Sequence, residues 1–260
     1  MTYRILFLGD IVGKRGRRAV AEFLPGLQED YRPLFTIVNG ENSAGGVGIT
    51  PDICRELFKL NVDAITLGNH AFNKKEIIET FATDAPVVRP ANMPPSAPGR
   101  GLTSVERDGI LLHIMNVCGR VFLDGYDDPF ACIDGLLAQC ASPHRLLDFH
   151  AEATSEKIAM GYHCEGRVTA VLGTHTHVTT ADETILEMGT AYITDVGMCG
   201  PRNSVLGMER EIILRKFRTS MPERFEVSDE PGCIAGVVID VERDTGRAVA
   251  IERVRRESAG

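Results

Sequence analysis

The sequence predicts an α/β fold, and three observations predict it. Short apolar runs of strand length recur along the chain, stretches of helical pattern separate them, and run after run stops at a glycine or asparagine followed by an acid, amide or histidine. In open α/β sheets ligands gather at the carboxyl ends of strands, so the third observation ties fold to function. At 260 residues, with 43% hydrophobic and 25% charged side chains, composition is that of an ordinary globular protein able to bury a substantial core. One domain spanning 1–260 is expected.

The formal charge of −8 argues against general binding to nucleic acid or an anionic membrane. A small phosphate ligand stays possible, because a local metal ion outweighs the global balance. There is no apolar run of 18 residues, and Met1-Thr-Tyr-Arg4 leads into a strand rather than a signal peptide. Seven scattered cysteines without a C-x-x-C fit reduced thiols in a cytoplasm, not a disulfide frame or a structural zinc site.

Taken in order, Arg4–Leu8 reads as a buried strand ending at Gly9-Asp10. Alone, Asp10 has an equally simple reading as a helix cap or turn residue. Lys14, Arg15, Arg17 and Arg18 crowd the start of a helix expected to reach about Gln28. They suit a solvated face, although positive charge there opposes the helix dipole and leaves a phosphate contact open. Phe35–Val38 is the second strand. It runs into Asn39-Gly-Glu-Asn-Ser-Ala-Gly-Gly46, where Glu41 and Asn42 sit on a glycine-rich loop. A flexible linker would not explain a carboxylate and an amide placed directly after an apolar strand. Thr50-Pro51 reads as N-cap and first helical residue of a helix to about Leu60.

Val62–Leu67 is the third strand, ending in Gly68-Asn69-His70. A helix over Lys74–Ala82, a short strand over Pro86–Arg89 and an irregular loop over Asn92–Pro98 follow; Asn92 suits a turn better than the site. Strands are expected at Thr103–Arg107 and Ile110–Val117 about an Asp108-Gly109 turn. Residues 118–142 hold no ligand set. Arg145–Phe149 delivers His150, and a helix to Cys164 begins at Glu152 or at a Thr154 cap. Val168–Leu172 leads to Gly173-Thr-His-Thr-His177. Two histidines at i and i+2 share a face in a strand, or converge if the chain turns; neutral imidazole is the commonest metal ligand. Beyond them, a hairpin over Thr184–Thr194, a glycine-rich loop over Asp195–Pro201, a helix over Gly207–Phe217, a hairpin of Gly236–Arg243 with Arg247–Arg255, and a frayed tail from Arg256 to Gly260 are expected.

Five strand ends thus present Asp10, Glu41 with Asn42, Asn69 with His70, His150, and His175 with His177. Coincidence explains one of these and not all five. Oxygen and imidazole donors without thiolate suit manganese, iron or zinc. Two ions need one carboxylate to bridge them, and Glu41 is the candidate. His113, His144 and His163 have no strand-end context and read as structural.

The order of Gly9-Asp10-Ile-Val-Gly13, Gly40-Glu-Asn-Ser-Ala-Gly-Gly46, Gly68-Asn-His-Ala-Phe72, Asp148-Phe-His-Ala-Glu152 and Gly173-Thr-His-Thr-His177 resembles the calcineurin-like metallophosphoesterases, and within them the YmdB branch. The similarity extends to Asp127-Asp-Pro-Phe130 and Asp195-Val-Gly-Met198, nearly the whole chain. Three positions depart from the broader class: Val12 stands where an opening histidine is usual, Glu41 where the bridge is Asp, and Ala71 where a carboxylate often follows the GNH histidine. All three match the YmdB branch.

The resemblance implies a four-layer α/β/β/α sandwich and a homo-oligomer. It implies Asp10, Glu41 and His177, with Asn42 nearby, around one metal ion, and Glu41, Asn69, His150 and His175 around a second. The ions would be divalent or mixed-valence, iron or manganese first and zinc next. The implied reaction is hydrolysis of phosphodiesters such as 2′,3′-cyclic AMP, with a metal-bridging hydroxide as attacking group. His70 stands beside Asn69 without being a ligand, which makes it the candidate general acid; a structural role is the alternative. Two other functions compete. A metal-containing regulatory protein that binds nucleotides or a partner would need no proton donor at His70. A TIM-barrel amidohydrolase would carry its H-x-H after the first strand, not at 175–177.

Overall fold

Side-chain alternation in the first strand sets the layering. In β1 (Thr2–Leu8), Ile5 and Phe7 join Ile37, Ile114, Leu146 and Leu172 in one core. Leu6 and Leu8 join Val20, Leu24, Ile53 and Leu57 in another. Successive strand residues point to opposite faces, so one apolar strand serves two cores. The computed structural model describes residues 1–258.

The first sheet has the order β2 (Asp10–Ile11), β12 (Met198–Pro201), β13 (Gly232–Glu242), β1, β3 (Phe35–Asn39), β4 (Ala64–Thr66) and β5 (Val87–Val88), with β14 (Ala248–Glu257) paired to β13. Strands β1, β3, β4 and β5 are parallel. The second sheet has the order β10 (Thr184–Ile185), β11 (Ala191–Ile193), β9 (Ala170–Thr174), β8 (Arg145–His150), β7 (Ile110–Cys118) and β6 (Leu102–Arg107). Its strands β7, β8, β9 and β11 are parallel.

The two sheets share the core that holds Ile5 and Leu146. Helices α1 (Gly13–Tyr31), α2 (Pro51–Phe58) and α3 (Ile77–Phe81) pack on the outer face of the first sheet. Helices α4 (Pro129–Leu137) and α5 (Thr154–Cys164) pack on the outer face of the second. The result is the expected α/β/β/α layering; a sixth helix, α6 (Arg210–Thr219), follows β12. Among the described residues no helix is long and apolar enough to cross a membrane.

Several local expectations hold. Thr50 caps α2, accepting from Ile53 N. Asp108 and Gly109 both take positive φ, as a tight hairpin turn of opposite hand to the common types requires. Arg15 and Arg17 form ion pairs with Asp229 and Glu56, and Lys14 and Arg18 are exposed, so the basic cluster lies on a surface face.

Others are corrected. Asp195–Pro201 is not all loop: Met198–Pro201 is a strand, because it pairs with β2 and β13. Asp10 itself lies in that pairing rather than on a turn. Helix α1 continues to Tyr31 through Pro25, α3 is shorter than its apolar spacing suggests, and α6 starts at Arg210 and runs past Phe217 to Thr219. Helix α5 starts at Thr154 with Ala153 as N-cap, so the Thr154 hydroxyl is not the cap. Residues Arg256 and Glu257 extend β14 instead of fraying, since Cys233 and Ile234 pair with them; residues 259–260 lie outside the described residues.

Candidate metal centre

Parallel strands in both sheets bring the candidate residues to one edge of the molecule. Glu41 and Asn42 follow β3, Asn69 and His70 follow β4, and Asp10 begins β2. His150 closes β8 opposite Thr174 of β9, which places it beside His175. The chain turns immediately after β9. His175 and His177 take φ of 98° and 65°, the left-handed region that non-glycine residues rarely occupy. Such strain, of order 1–3 kcal/mol per residue, persists where the surroundings over-determine it. Here Asp195 Oδ2 accepts from both Thr176 N (3.0 Å) and Thr176 Oγ1 (2.8 Å), between the two histidines.

The side chains converge from both sheets. His150 Nε2 lies 2.9 Å from Asn69 Oδ1, 3.1 Å from Glu41 Oε1 and 3.0 Å from His175 Nδ1. Ligand atoms of Glu41, His150 and His175 all fall within 4.8 Å of one another. Asp10 Oδ1 lies 3.8 Å from His177 Nε2 and 3.9 Å from His150 Nδ1. That oxygen is fully buried and has no hydrogen-bond partner; its mate, Oδ2, accepts from His175 N at 3.2 Å.

The remaining ring nitrogens decide the tautomers. His175 Nε2 faces Glu152 Oε2 at 3.1 Å, and His177 Nδ1 faces the Leu206 carbonyl at 3.0 Å. Both partners only accept, so these nitrogens carry hydrogens and the nitrogens facing the cluster keep their lone pairs. That division is the usual one for metal-ligating histidine.

Charge is concentrated and buried. Burial raises the Asp10 carboxyl more than His177 and His150 lower it. Burial also opposes ionisation of Glu41, but His150 and then His70 hold it well below the usual range. Burial pulls His150 down, yet Glu41 and Asp10 together raise it to about 9. His175 is pushed down to about 3 by burial and by His150. Asn69 Oδ1, Glu41 Oε1 and His175 Nδ1 all lie within hydrogen-bond distance of His150 Nε2, a cluster of donor atoms suited to a cation.

The residues present fit metal ions. An orphaned buried carboxylate oxygen needs a partner, and the donor set of carboxylate, amide oxygen and imidazole is that of first-row transition metals. Gly68 lines the same space: a Cβ there would meet Glu41 Oε2 at 2.2 Å and His150 Nε2 at 2.4 Å.

Asn42 and His70 form a second layer. Asn42 Nδ2 donates to Glu41 Oε1 (2.9 Å) and approaches His177 Nε2 (3.1 Å), while its Oδ1 accepts from His70 Nδ1 (2.7 Å). In this orientation Asn42 turns its oxygen to His70 rather than to the cluster. His70 N also donates to Glu41 Oε2. Val12 and Ala71 are fully buried apolar side chains, so neither position offers a ligand. His113, His144 and His163 lie elsewhere, paired with Ser104, Tyr3 and Asp134. Asn92 clamps both the N–H and the carbonyl of Cys118, the structural role favoured for it.

Sequence reasoning missed Glu152, Lys157, Asp195 and the pair Asp148–Thr174. Asp148 carried one signal, since it lies two residues before His150 in a strand and shares its face. Lys157, in the first turn of a helix, carried none.

Solved structures share the whole fold. A hypothetical protein from Thermus thermophilus is 41% identical, with a TM-score of 0.93 over 98% of this chain and 100% of that one. A phosphatase from Mycoplasma pneumoniae is 35% identical, with a TM-score of 0.94 over 99% and 94%. Together with the donor set at the strand ends, these define the class: a calcineurin-like metallophosphoesterase. The model of the YmdB-like protein family matches residues 6–254. The 2′,3′-cyclic-nucleotide 2′-phosphodiesterase of Bacillus subtilis (strain 168) is 52% identical over 254 residues, 96% of each chain. The chain belongs to the YmdB-like protein family.

Proposed function

We propose that this chain, read as one domain over 1–260, is a phosphodiesterase that opens 2′,3′-cyclic nucleotides such as 2′,3′-cyclic AMP at a dinuclear metal site. The observation that carries the reading is the convergence of both sheets on one point. Glu41, His150 and His175 gather there beside an unpartnered, buried Asp10 Oδ1. The relative from Bacillus subtilis, whose name states that activity, supports the substrate class.

Asp10, Glu41 and His177, with Asn42 close by, would hold one ion, and Glu41, Asn69, His150 and His175 the other. Iron or manganese suits this donor set first, and zinc next. Bound, such ions supply Lewis acidity toward the phosphoryl group and make water a nucleophile near neutral pH. The chain's own contribution to proton transfer is His70. Its Nδ1–H donates to Asn42 Oδ1, which fixes the ring and leaves Nε2 to carry a proton to the leaving alkoxide. The side chain is one-third exposed (33%), compatible with contact to a substrate. The loops 43–50, 118–130 and 196–206 would wall the groove; Leu206, in the last of them, already touches His177. A cytoplasmic homo-oligomer without membrane contact completes the reading.

The test is metal analysis of the purified protein alongside hydrolysis of 2′,3′-cyclic AMP with manganese or iron supplied. About two ions per chain with turnover is the expected result. Two ions without turnover of any phosphodiester would favour a sensor over an enzyme. No metal after reconstitution would overturn the convergence itself.

A further inference from the structure

We propose that Asp148, acting through Thr174, is a positioning residue that holds His150 with its proton on Nδ1 and aims the Nε2 lone pair at the metal cluster. The inference rests on the reading of His150 as a ligand and goes beyond it to what makes His150 one.

Proton counting carries the argument. Thr174 Oγ1 lies 2.6 Å from Asp148 Oδ1 and 2.9 Å from His150 Nδ1. A hydroxyl has one hydrogen, and a carboxylate only accepts, so that hydrogen goes to Asp148. The lone pair left on Oγ1 then faces Nδ1, which must donate. His150 is thereby oriented by a carboxylate one hydroxyl away, whereas His175 meets Glu152 directly and His177 meets a carbonyl.

Asp148 is itself over-determined. It is fully buried, and its Oδ2 accepts from Asn39 Nδ2 (2.9 Å) and from the Thr66 hydroxyl. Asn39 and Thr66 end β3 and β4 of the first sheet, while Asp148 and Thr174 belong to β8 and β9 of the second. Asn39 Oδ1 also accepts from Glu41 N at 3.1 Å. The same carboxylate therefore joins the sheet that supplies Asp10, Glu41 and Asn69 to the sheet that supplies His150, His175 and His177. It ties His150's ring and Glu41's backbone to one anchor beneath the cluster.

Thr174→Val keeps the shape and removes the hydroxyl; Thr174→Ser restores it. Metal affinity is read by chelator competition with zinc, and the His150 Nδ1–H signal by NMR of the zinc-loaded, ¹⁵N-histidine-labelled protein. We expect Thr174→Val to weaken one of the two ions about 10–100-fold and to make that proton exchange rapidly with water. Thr174→Ser should recover both properties. Asp148→Asn should weaken the same ion, and the double variant Asp148→Asn, Thr174→Val should be no worse than the weaker single. Unchanged affinity and an unchanged Nδ1–H signal in Thr174→Val would overturn the relay while leaving the metal site standing. So would additive losses in the double variant. A wild-type protein that binds no zinc at all would instead overturn the metal reading on which the relay rests. If Asp148→Asn fails to fold, the two Thr174 variants decide the matter.

Discussion

Lys157 Nζ lies 2.7 Å from Asp195 Oδ2, and both side chains are sealed from solvent. The same carboxylate holds Thr176 by its N–H and hydroxyl and accepts from Gly197 N through Oδ1. A lysine from the first turn of α5 thus neutralises the anchor of the turn that carries His175 and His177. Replacing one partner of a buried pair leaves an uncompensated charge, which destabilises by about 3–5 kcal/mol. Lys157→Met should therefore lower the urea midpoint strongly. Adding Asp195→Asn should recover part of the loss, and an unchanged midpoint in Lys157→Met would show the pair to be dispensable.

Metal removal should destabilise the wild-type protein. Asp10 and Glu41 are both fully buried and close enough to repel each other, and bound cations are their natural compensation. A ligand present at about 100 times its Kd stabilises by about 2.7 kcal/mol. A chelator should lower Tm measurably, and less so in Asp10→Asn, which has one buried charge fewer. An identical Tm with and without chelator would count against ions at this site.

Glu41→Ala should lose at least one ion. Glu41 Oε1 faces His150 Nε2 at 3.1 Å and the carboxylate is the one acidic member of the Glu41–His150–His175 group, so its loss removes that group's anionic ligand. Elemental analysis checks this directly, and retention of both ions would remove Glu41 as the bridge.

Gly68→Ala should behave much like Glu41→Ala. A methyl group at Gly68 would intrude on Glu41 Oε2 and His150 Nε2, atoms that have little room to move. Overpacking of this kind costs about 1–3 kcal/mol, and here it falls on the ligands themselves. The expected result is a folded protein with reduced metal content; full metal content would mean that the cluster tolerates displacement.

His70→Ala should keep its metal. Turnover of a diester with a poor leaving group should fall by about 10²–10⁴-fold, with a smaller fall for an activated aryl diester whose leaving group needs no proton. Equal losses on both substrates would point to a role in orienting Asn42 rather than in proton transfer.

The alternation of strands and helices and the ligand-bearing strand ends were legible because each depends on local pattern, whereas the four-layer order followed only from the resemblance. Val168–Leu172 followed by a glycine and two histidines, or Phe35–Val38 followed by Asn-Gly-Glu-Asn, carries its apolar run and its chemistry side by side. β12 was not legible. Met198-Cys-Gly-Pro201 has no strand pattern of its own and is a strand because β2 and β13 present backbone partners to it. Helix boundaries shifted for a similar reason: residues 75–76 form a turn ahead of α3, and Met208 pairs with Val205 and Val227 before α6 begins.

The sequence by itself determined which residue types stand at the ends of the strands, and hence the class of chemistry and the family. Adjacency along the chain is enough for that, since a ligand next to a buried strand must emerge at the strand's end. Only the tertiary structure decided which nitrogen of each histidine faces the cluster, that Asn42 turns its oxygen to His70, and that Lys157, Asp195, Glu152 and Asp148 support the ligands. Those are relations between residues far apart in sequence. They are set by the register of parallel strands and the facing of two sheets, and a linear pattern does not encode such distances.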